Sequence, residues 1–167
     1  MCKNDKYAYS KGQIAALLFL RIVIGWHFLY EGIAKILNPK WSSYGYLMDA
    51  KGFLADFYHW IASNPTMLEA SNLICMVGLT LVGLGLILGC FSRCAAFGGI
   101  LFLCLFYFSH IPYIGAEYGM PFDGSYLWLD KSTVEIAALI VLIMFPSSRI
   151  IGVDRLWKCC KCSKNKE

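Results

Sequence analysis

Residues 21–39 read RIVIGWHFLYEGIAKILNP, and this stretch decides the fold. It belongs to a largely apolar segment, 13–37, that is long enough to cross the roughly 30 Å hydrocarbon layer of a membrane as a helix. Four ionisable side chains interrupt it: Arg21, His27, Glu31 and Lys35. At about 100° per residue, all four fall within one arc of about 120°. Because an ionisable group that faces lipid costs several kcal/mol, this face is predicted to point into the protein.

The composition agrees with a membrane protein. Of the 167 residues, 58% are hydrophobic and only 16% are charged, whereas soluble domains are about a quarter charged. The formal net charge of +4 is too small to build a surface for nucleic acid. These values exclude a disordered chain, a nucleic-acid-binding module and most water-soluble folds.

Three further apolar stretches are predicted to span the membrane: 72–90, 94–111 and 126–145. The start of the last one is ambiguous, because Ser132 and Glu135 have the spacing of a capping box that would open a helix at Thr133. A helix from there would be too short to cross, so a start near Tyr126 is favoured. The prediction is an all-α, four-helix membrane bundle, a single domain over 1–150 with a basic tail over 151–167.

The distribution of basic residues predicts the orientation, because short loops rich in Lys and Arg stay in the cytoplasm. The N-terminal tail, the link that carries Arg93 and the C-terminal tail are basic, and a four-helix arrangement puts them on one side. The acidic loop residues fall on the other side: Asp49, Asp56, Glu69, Glu117 and Asp123. Both termini are therefore predicted to be cytoplasmic.

The third and fourth spans also carry ionisable residues, which are predicted to face those of the first span. Seven such groups are predicted to converge in the outer half of the bundle: His27, Glu31, Lys35, His110, Asp130, Lys131 and Glu135. Arg21 is expected deeper, at about the level of Glu135, where the two could pair. We interpret the cluster as a polar cavity. The alternative is a structural network, in which Glu135 only caps its helix and Lys35 reaches the headgroups.

The first outer loop and the second span have simpler patterns. Phe53, Leu54, Phe57 and Ile61 follow helical spacing, which predicts an interfacial segment that partly covers the cavity. An ordinary aromatic belt would explain these rings almost as well. Four glycines in the second span include the pair Gly85 and Gly89, and they predict close packing against another helix.

The eight cysteines do not form a disulfide scaffold. Cys75 and Cys104 lie within spans, and the others fall at predicted cytoplasmic positions, where thiols are normally reduced. No metal site is predicted in the spans. Cys159, Cys160 and Cys162 in the tail could bind a metal or carry palmitate, but a free basic tail at the headgroups is the preferred reading.

One string in the first span carries a family resemblance: Arg21-x3-Gly25-x-His27-x3-Glu31-Gly32-x2-Lys35-x3-Pro39. The glycine-rich second span, His110-x-Pro112 and Lys131-x3-Glu135 continue it. Over about residues 13–150, the chain resembles the DoxX family of small four-helix membrane proteins. The tail cysteines depart from the pattern of that family.

The resemblance implies membrane redox chemistry in the bacterial inner (cytoplasmic) membrane. A relative forms the membrane subunit of a thiosulfate:quinone oxidoreductase, and other members associate with thiol- or superoxide-handling enzymes. More distant relatives assist the assembly of membrane proteins without catalysis. The resemblance therefore supports a fold better than a reaction.

Three hypotheses follow. In the first, the chain is an oxidoreductase subunit whose pocket binds a quinone: His27 and Glu31 supply protons, Arg21 and Lys35 stabilise negative charge, and His110, Lys131 and Glu135 complete the wall. A protein partner would supply the electrons, since the chain has no flavin or dinucleotide fingerprint; haem ligation by His27 and His110 is weakly indicated.

The second hypothesis is a non-catalytic assembly factor or scaffold. The third is a carrier of small sulfur anions that uses Arg21 and Lys35. A homo-oligomer is compatible with each of them.

Overall fold

The computed structural model describes residues 9–111, 118–119, 129–145, 147–149 and 151–154, and the secondary-structure elements within these ranges are helices. Six are α-helices, followed by a short 3₁₀ helix at Ser147–Arg149. The α-helices are α1 (Lys11–Leu37), α2 (Tyr44–Met48), α3 (Ala55–Ser63), α4 (Pro65–Leu88), α5 (Ser92–Ser109) and α6 (Lys131–Met144). The predicted all-α fold is thus confirmed for the described residues.

Three of these helices are long and apolar enough to cross a membrane: α1, α4 and α5. They correspond to the first three predicted spans, with shifted ends. α1 starts at Lys11 because Ser10 and Gln13 form a capping box, in which the Ser10 hydroxyl accepts from the Gln13 amide. α4 starts at Pro65, seven residues before the predicted Asn72, because proline is well accommodated in the first turn of a helix.

The fourth predicted span begins later than expected. α6 starts at Lys131, and its N-cap is Asp130, whose carboxylate accepts from the Thr133 amide at 2.9 Å. Neither the favoured start near Tyr126 nor the alternative Ser132 cap describes this helix, because Asp130 caps it by accepting from the orphan amide of Thr133. With 14 residues, α6 is about 21 Å long and is too short to cross the hydrocarbon layer alone. Residues 120–128 lie outside the described ranges.

α1 and α4 approach each other at glycines. A Cβ on Gly83 would lie 2.4 Å from the Leu29 backbone nitrogen, and one on Gly32 would lie 2.4 Å from Thr80 Oγ1. Close packing of the second span is therefore confirmed, but the Gly85 and Gly89 pair is not its centre. Gly89 is the left-handed C-cap of α4, with φ 67°, a conformation that glycine adopts without strain.

The core lies between α1, α4, α5 and α6. Its most buried large side chains are Phe28, Leu79, Leu86 and Leu139. A second cluster joins α2 and α3 through Leu47, Ala50, Tyr58 and Ala62. This cluster holds α3 beside the main bundle, in agreement with the helical spacing of the first loop.

The first residues of the predicted tail belong to the bundle. The Asp154 carboxylate accepts from the Phe91 amide at 2.8 Å and from the Ser92 amide at 3.4 Å. Since no side chain of the preceding turn caps α5, Asp154 supplies the missing acceptor. Residues 151–154 of the predicted tail therefore contact the bundle, and Cys159, Cys160 and Cys162 lie outside the described residues.

Candidate functional site

An open-sided cavity of about 810 Å³ lies between the helices. All seven ionisable groups that were predicted to converge line it: His27, Glu31, Lys35, His110, Asp130, Lys131 and Glu135. Most of the remaining wall is apolar or aromatic and comes from α1 to α5. The volume lies within the range of sites for small ligands, and a few convergent polar groups in an apolar wall are typical of such sites.

His27 and Glu135 join α1 to α6 across the cavity wall. His27 Nε2 lies 3.3 Å from Glu135 Oε1, with side chains that are 31% and 14% exposed. The second carboxylate oxygen of Glu135 is buried and has no hydrogen-bond partner among the described residues. An imidazole beside a carboxylate with a spare acceptor position can pass a proton to a bound molecule or hold it by a hydrogen bond.

Glu31 and Lys35 form a second pair within α1. The Lys35 ammonium group donates to Glu31 Oε2 and also to the Glu31 carbonyl oxygen at 3.3 Å. It lies 5.6 Å from the centre of the Trp41 ring, within the range of a cation–π contact. These contacts hold the charge of Lys35 at the cavity wall, so this lysine does not simply extend to the headgroups.

Asp130 and Lys131 mark the start of α6 at the cavity. Besides the Thr133 amide, Asp130 Oδ1 accepts from the Thr133 hydroxyl at 2.8 Å. Asp130 is thus engaged in capping, whereas the Lys131 side chain is exposed in the first turn. Asp130 rather than Glu135 therefore caps α6. The Glu135 carboxylate pairs with His27 instead.

His110 follows α5 and is enclosed by aromatic rings. Its ring stacks on Tyr46 at a centroid distance of 4.1 Å and lies 4.7 Å from Tyr118. His110 Nδ1 lies 3.0 Å from Ser109 Oγ, and Nε2 lies 3.5 Å from Asp49 Oδ2. Sequence reasoning placed Asp49 only among the acidic loop residues. No local signal could have found this pair, because the two residues are far apart in the sequence.

Two tyrosines close the cavity against the end of α5. The Tyr46 hydroxyl donates to the Phe106 carbonyl at 3.0 Å, and the Tyr58 hydroxyl donates to the Leu105 carbonyl at 2.9 Å. Burial raises the pKa of both phenols, so they remain protonated donors. They satisfy carbonyl groups in the last turn of α5 and fix α2 and α3 over the cavity.

The comparison with protein families agrees with this geometry. The model of the DoxX family matches residues 16–111, more than half of the 167 residues. The chain belongs to the DoxX family. No curated protein and no solved structure matches it. The family match covers His27, Glu31, Lys35 and His110 and ends before α6, so Glu135 lies beyond the matched part of the DoxX domain.

Arg21, which is also within the DoxX match, lies away from the cavity. It is 3% exposed, and a Cβ on Gly89 would lie 3.1 Å from its Nη1, which places the guanidinium at the end of α4. Its charge interacts with Asp154 rather than with Glu135. A rise of about 1.5 Å per residue puts Arg21 about 15 Å along α1 from Glu31. The predicted pairing of Arg21 with Glu135 is therefore wrong, because Glu135 lies at the depth of His27, six residues further along α1 than Arg21.

Cys75 provides a direct probe of the cavity in this DoxX protein. Cys75 on α4 lines it, whereas Cys104 on α5 does not, although both thiols are partly buried and reduced. We expect N-ethylmaleimide to modify Cys75 about tenfold faster than Cys104, because the reagent can reach Cys75 through the open-sided cavity and has no such route to Cys104. Peptide mapping by mass spectrometry of the protein in lipid nanodiscs measures both rates. Equal rates would contradict a wet cavity at Cys75.

Proposed function

We propose that this DoxX protein is the integral membrane subunit of an oxidoreductase system and that its cavity binds a quinone or a similar small molecule. The observation that carries the proposal is a cavity of about 810 Å³ in which an imidazole–carboxylate pair and a carboxylate–ammonium pair meet an aromatic wall. Such a site offers proton donors, fixed charges and a flat apolar surface to one bound ring.

The chemistry of a quinone fits these groups. Its reduction to a quinol takes two electrons and two protons, and each carbonyl oxygen becomes a hydroxyl group. His27 and Glu31 are the proposed proton donors, and Glu135 orients His27 through the contact of 3.3 Å. Lys35 and Lys131 stabilise negative charge on the oxygens, and His110 bounds the far side. The electrons come from a protein partner, since the sequence has no flavin or dinucleotide fingerprint.

We further propose a four-helix topology in the bacterial inner membrane with both termini in the cytoplasm. The basic residues Lys11 and Arg93 flank α1 and α5 at one end of the bundle, and Asp49, Asp56 and Glu69 lie at the other end. In this orientation the cavity lies in the outer half of the membrane. α6, together with residues before it, would complete the fourth crossing.

A purification experiment tests the quinone proposal. We expect a quinone to be recovered in organic extracts of the wild-type protein, and Glu31→Gln to lower its occupancy about tenfold, because the variant loses the charge-assisted hydrogen bond that holds the Lys35 ammonium group at the cavity wall. The matched control is Glu69→Gln, an exposed glutamate of α4 that does not line the cavity. Chromatography of the extract with detection of the quinone measures the effect. Equal occupancy in both variants would contradict the role of Glu31.

The same purification separates the alternatives. A constant protein partner with no small molecule would support the assembly factor or scaffold. The carrier hypothesis needs Arg21 and Lys35 in one anion site, and the structure places them at different depths of α1. Uptake of labelled thiosulfate into vesicles that is lost with Arg21→Gln would nevertheless support it. The cavity and its paired charges favour the quinone.

A further inference from the structure

The apolar part of the cavity lies on different helices from the charged part. The charged lining residues come from α1, the residue after α5, and the start of α6 with its cap. The lining residues of α3 and α4 carry no formal charge; among them are Phe57, Trp60, Met67 and Ile74. A molecule that fills this cavity therefore meets polar groups with one end and hydrocarbon with the other.

The apolar side is also the open side. Ile74 is 61% exposed and Trp60 is 55% exposed although both line the cavity. By contrast, Phe28 and Leu79, which also line it, are each 2% exposed and form its floor. Side chains that border both the cavity and the exterior form its rim. An apolar mouth therefore lies between α3 and α4, at Phe57, Trp60, Met67 and Ile74, while the exposed Lys131 borders the cavity on its charged side.

This mouth continues into the lipid-facing side of α4. Exposed apolar residues follow from Ile74 at steps of three and four along one face of the helix: Val77, Leu81, Leu84 and Leu88. On a helix that is long and apolar enough to cross a membrane, such a face contacts lipid chains. Ile74 belongs to both this face and the cavity wall, so the mouth opens sideways toward the acyl chains.

We infer that the cavity takes its ligand from the bilayer, and that the ligand is an amphiphile whose apolar chain leaves through the mouth at Phe57, Trp60, Met67 and Ile74. The identity of the head group as a quinone rests on the proposed function, whereas entry from the bilayer rests on the geometry of the mouth. A lipid-borne molecule keeps its chain in hydrocarbon while its head reaches the charged pairs of α1 and α6.

Two quinones with the same ring system, one with a long chain and one without, test separately how the head group and the chain contribute to binding. Dimethylnaphthoquinone and phylloquinone differ in that a long phytyl chain replaces one methyl group. Their binding to the full-length protein in lipid nanodiscs is measured by tryptophan fluorescence quenching, since Trp41 and Trp60 line the cavity. We expect Ile74→Trp to weaken phylloquinone binding about tenfold, because the larger ring overfills the mouth. Binding of dimethylnaphthoquinone should change less than about twofold, because its head does not depend on the mouth.

The neighbouring residue provides the control. Leu73 is 63% exposed but does not line the cavity, so Leu73→Trp adds the same ring outside the mouth and should alter neither quinone. Met67→Trp, on the same rim as Ile74, should repeat the selective loss. If the wild type binds both quinones and the rim variants weaken both equally or neither, lateral access is overturned while the quinone site stands. The mouth would then be a surface for another occupant, such as a protein partner. If the wild type binds neither quinone, the proposed function and this inference both fail.

Discussion

Gly83→Ala should prevent stable assembly of the bundle and lower the free energy of unfolding by about 3 kcal/mol or more. A Cβ at this position would lie 2.4 Å from the Leu29 backbone nitrogen and 2.7 Å from the Gly25 carbonyl oxygen. These are backbone atoms of α1, which cannot move aside as a flexible side chain can. α1 and α4 would have to separate, and the core around Phe28 and Leu79 lies between these helices.

Gly98→Ala is the matched control for this prediction. Its Cβ would lie 3.4 Å from Val82 Cγ2, an ordinary contact, and it also lies within a long apolar helix. The free energy of unfolding should stay within about 1 kcal/mol, with a small gain from the helix propensity of alanine. Unfolding of both variants in mixed micelles, followed by circular dichroism as the denaturing detergent is increased, measures the difference. Similar stabilities for Gly83→Ala and Gly98→Ala would mean that α1 and α4 are not in close contact at Gly83.

The sequence predicted the features that depend on local geometry. His27, Glu31 and Lys35 are four residues apart, so helix geometry alone places them on one face, and all three line the cavity. The apolar length of α1, α4 and α5 was predicted for the same reason. The helical character of α3 also followed from its apolar spacing.

Contacts between helices could not be predicted in the same way. Whether Glu135 meets His27 or Arg21 depends on how far α6 is shifted along α1, and the sequence contains no measure of that shift. The start of α6 could not be predicted for a similar reason. Asp130 and Ser132 are both good capping residues, and only the position of Asp130 in the fold decides between them. The same limit applies to glycines, since Gly83 and Gly85 differ only in which neighbour they face.

Glu135→Gln should have the largest effect on ligand binding and weaken the affinity for a quinone about a hundredfold. Oε1 of Glu135 contacts His27 at 3.3 Å, and its buried Oε2 has no hydrogen-bond partner among the described residues. A glutamine of the same size loses the negative charge that favours a protonated imidazole. The effect should exceed that of Glu31→Gln, because the Glu31 side chain is 43% exposed and that of Glu135 is 14% exposed.

The double variant His27→Gln/Glu135→Gln tests whether the two side chains bind the ligand as one pair or independently. If Glu135 acts by orienting and charging His27, then His27→Gln and Glu135→Gln combined should weaken quinone binding little more than Glu135→Gln alone. Fluorescence titration with dimethylnaphthoquinone measures the four affinities, and the midpoint of unfolding confirms that each variant is folded. Glu69→Gln should bind like the wild type, since Glu69 is exposed and does not line the cavity. Strictly additive losses would show that the two side chains act independently. An unchanged affinity in Glu135→Gln would remove this carboxylate from the site and leave Glu31 as the acid nearest to the bound ring.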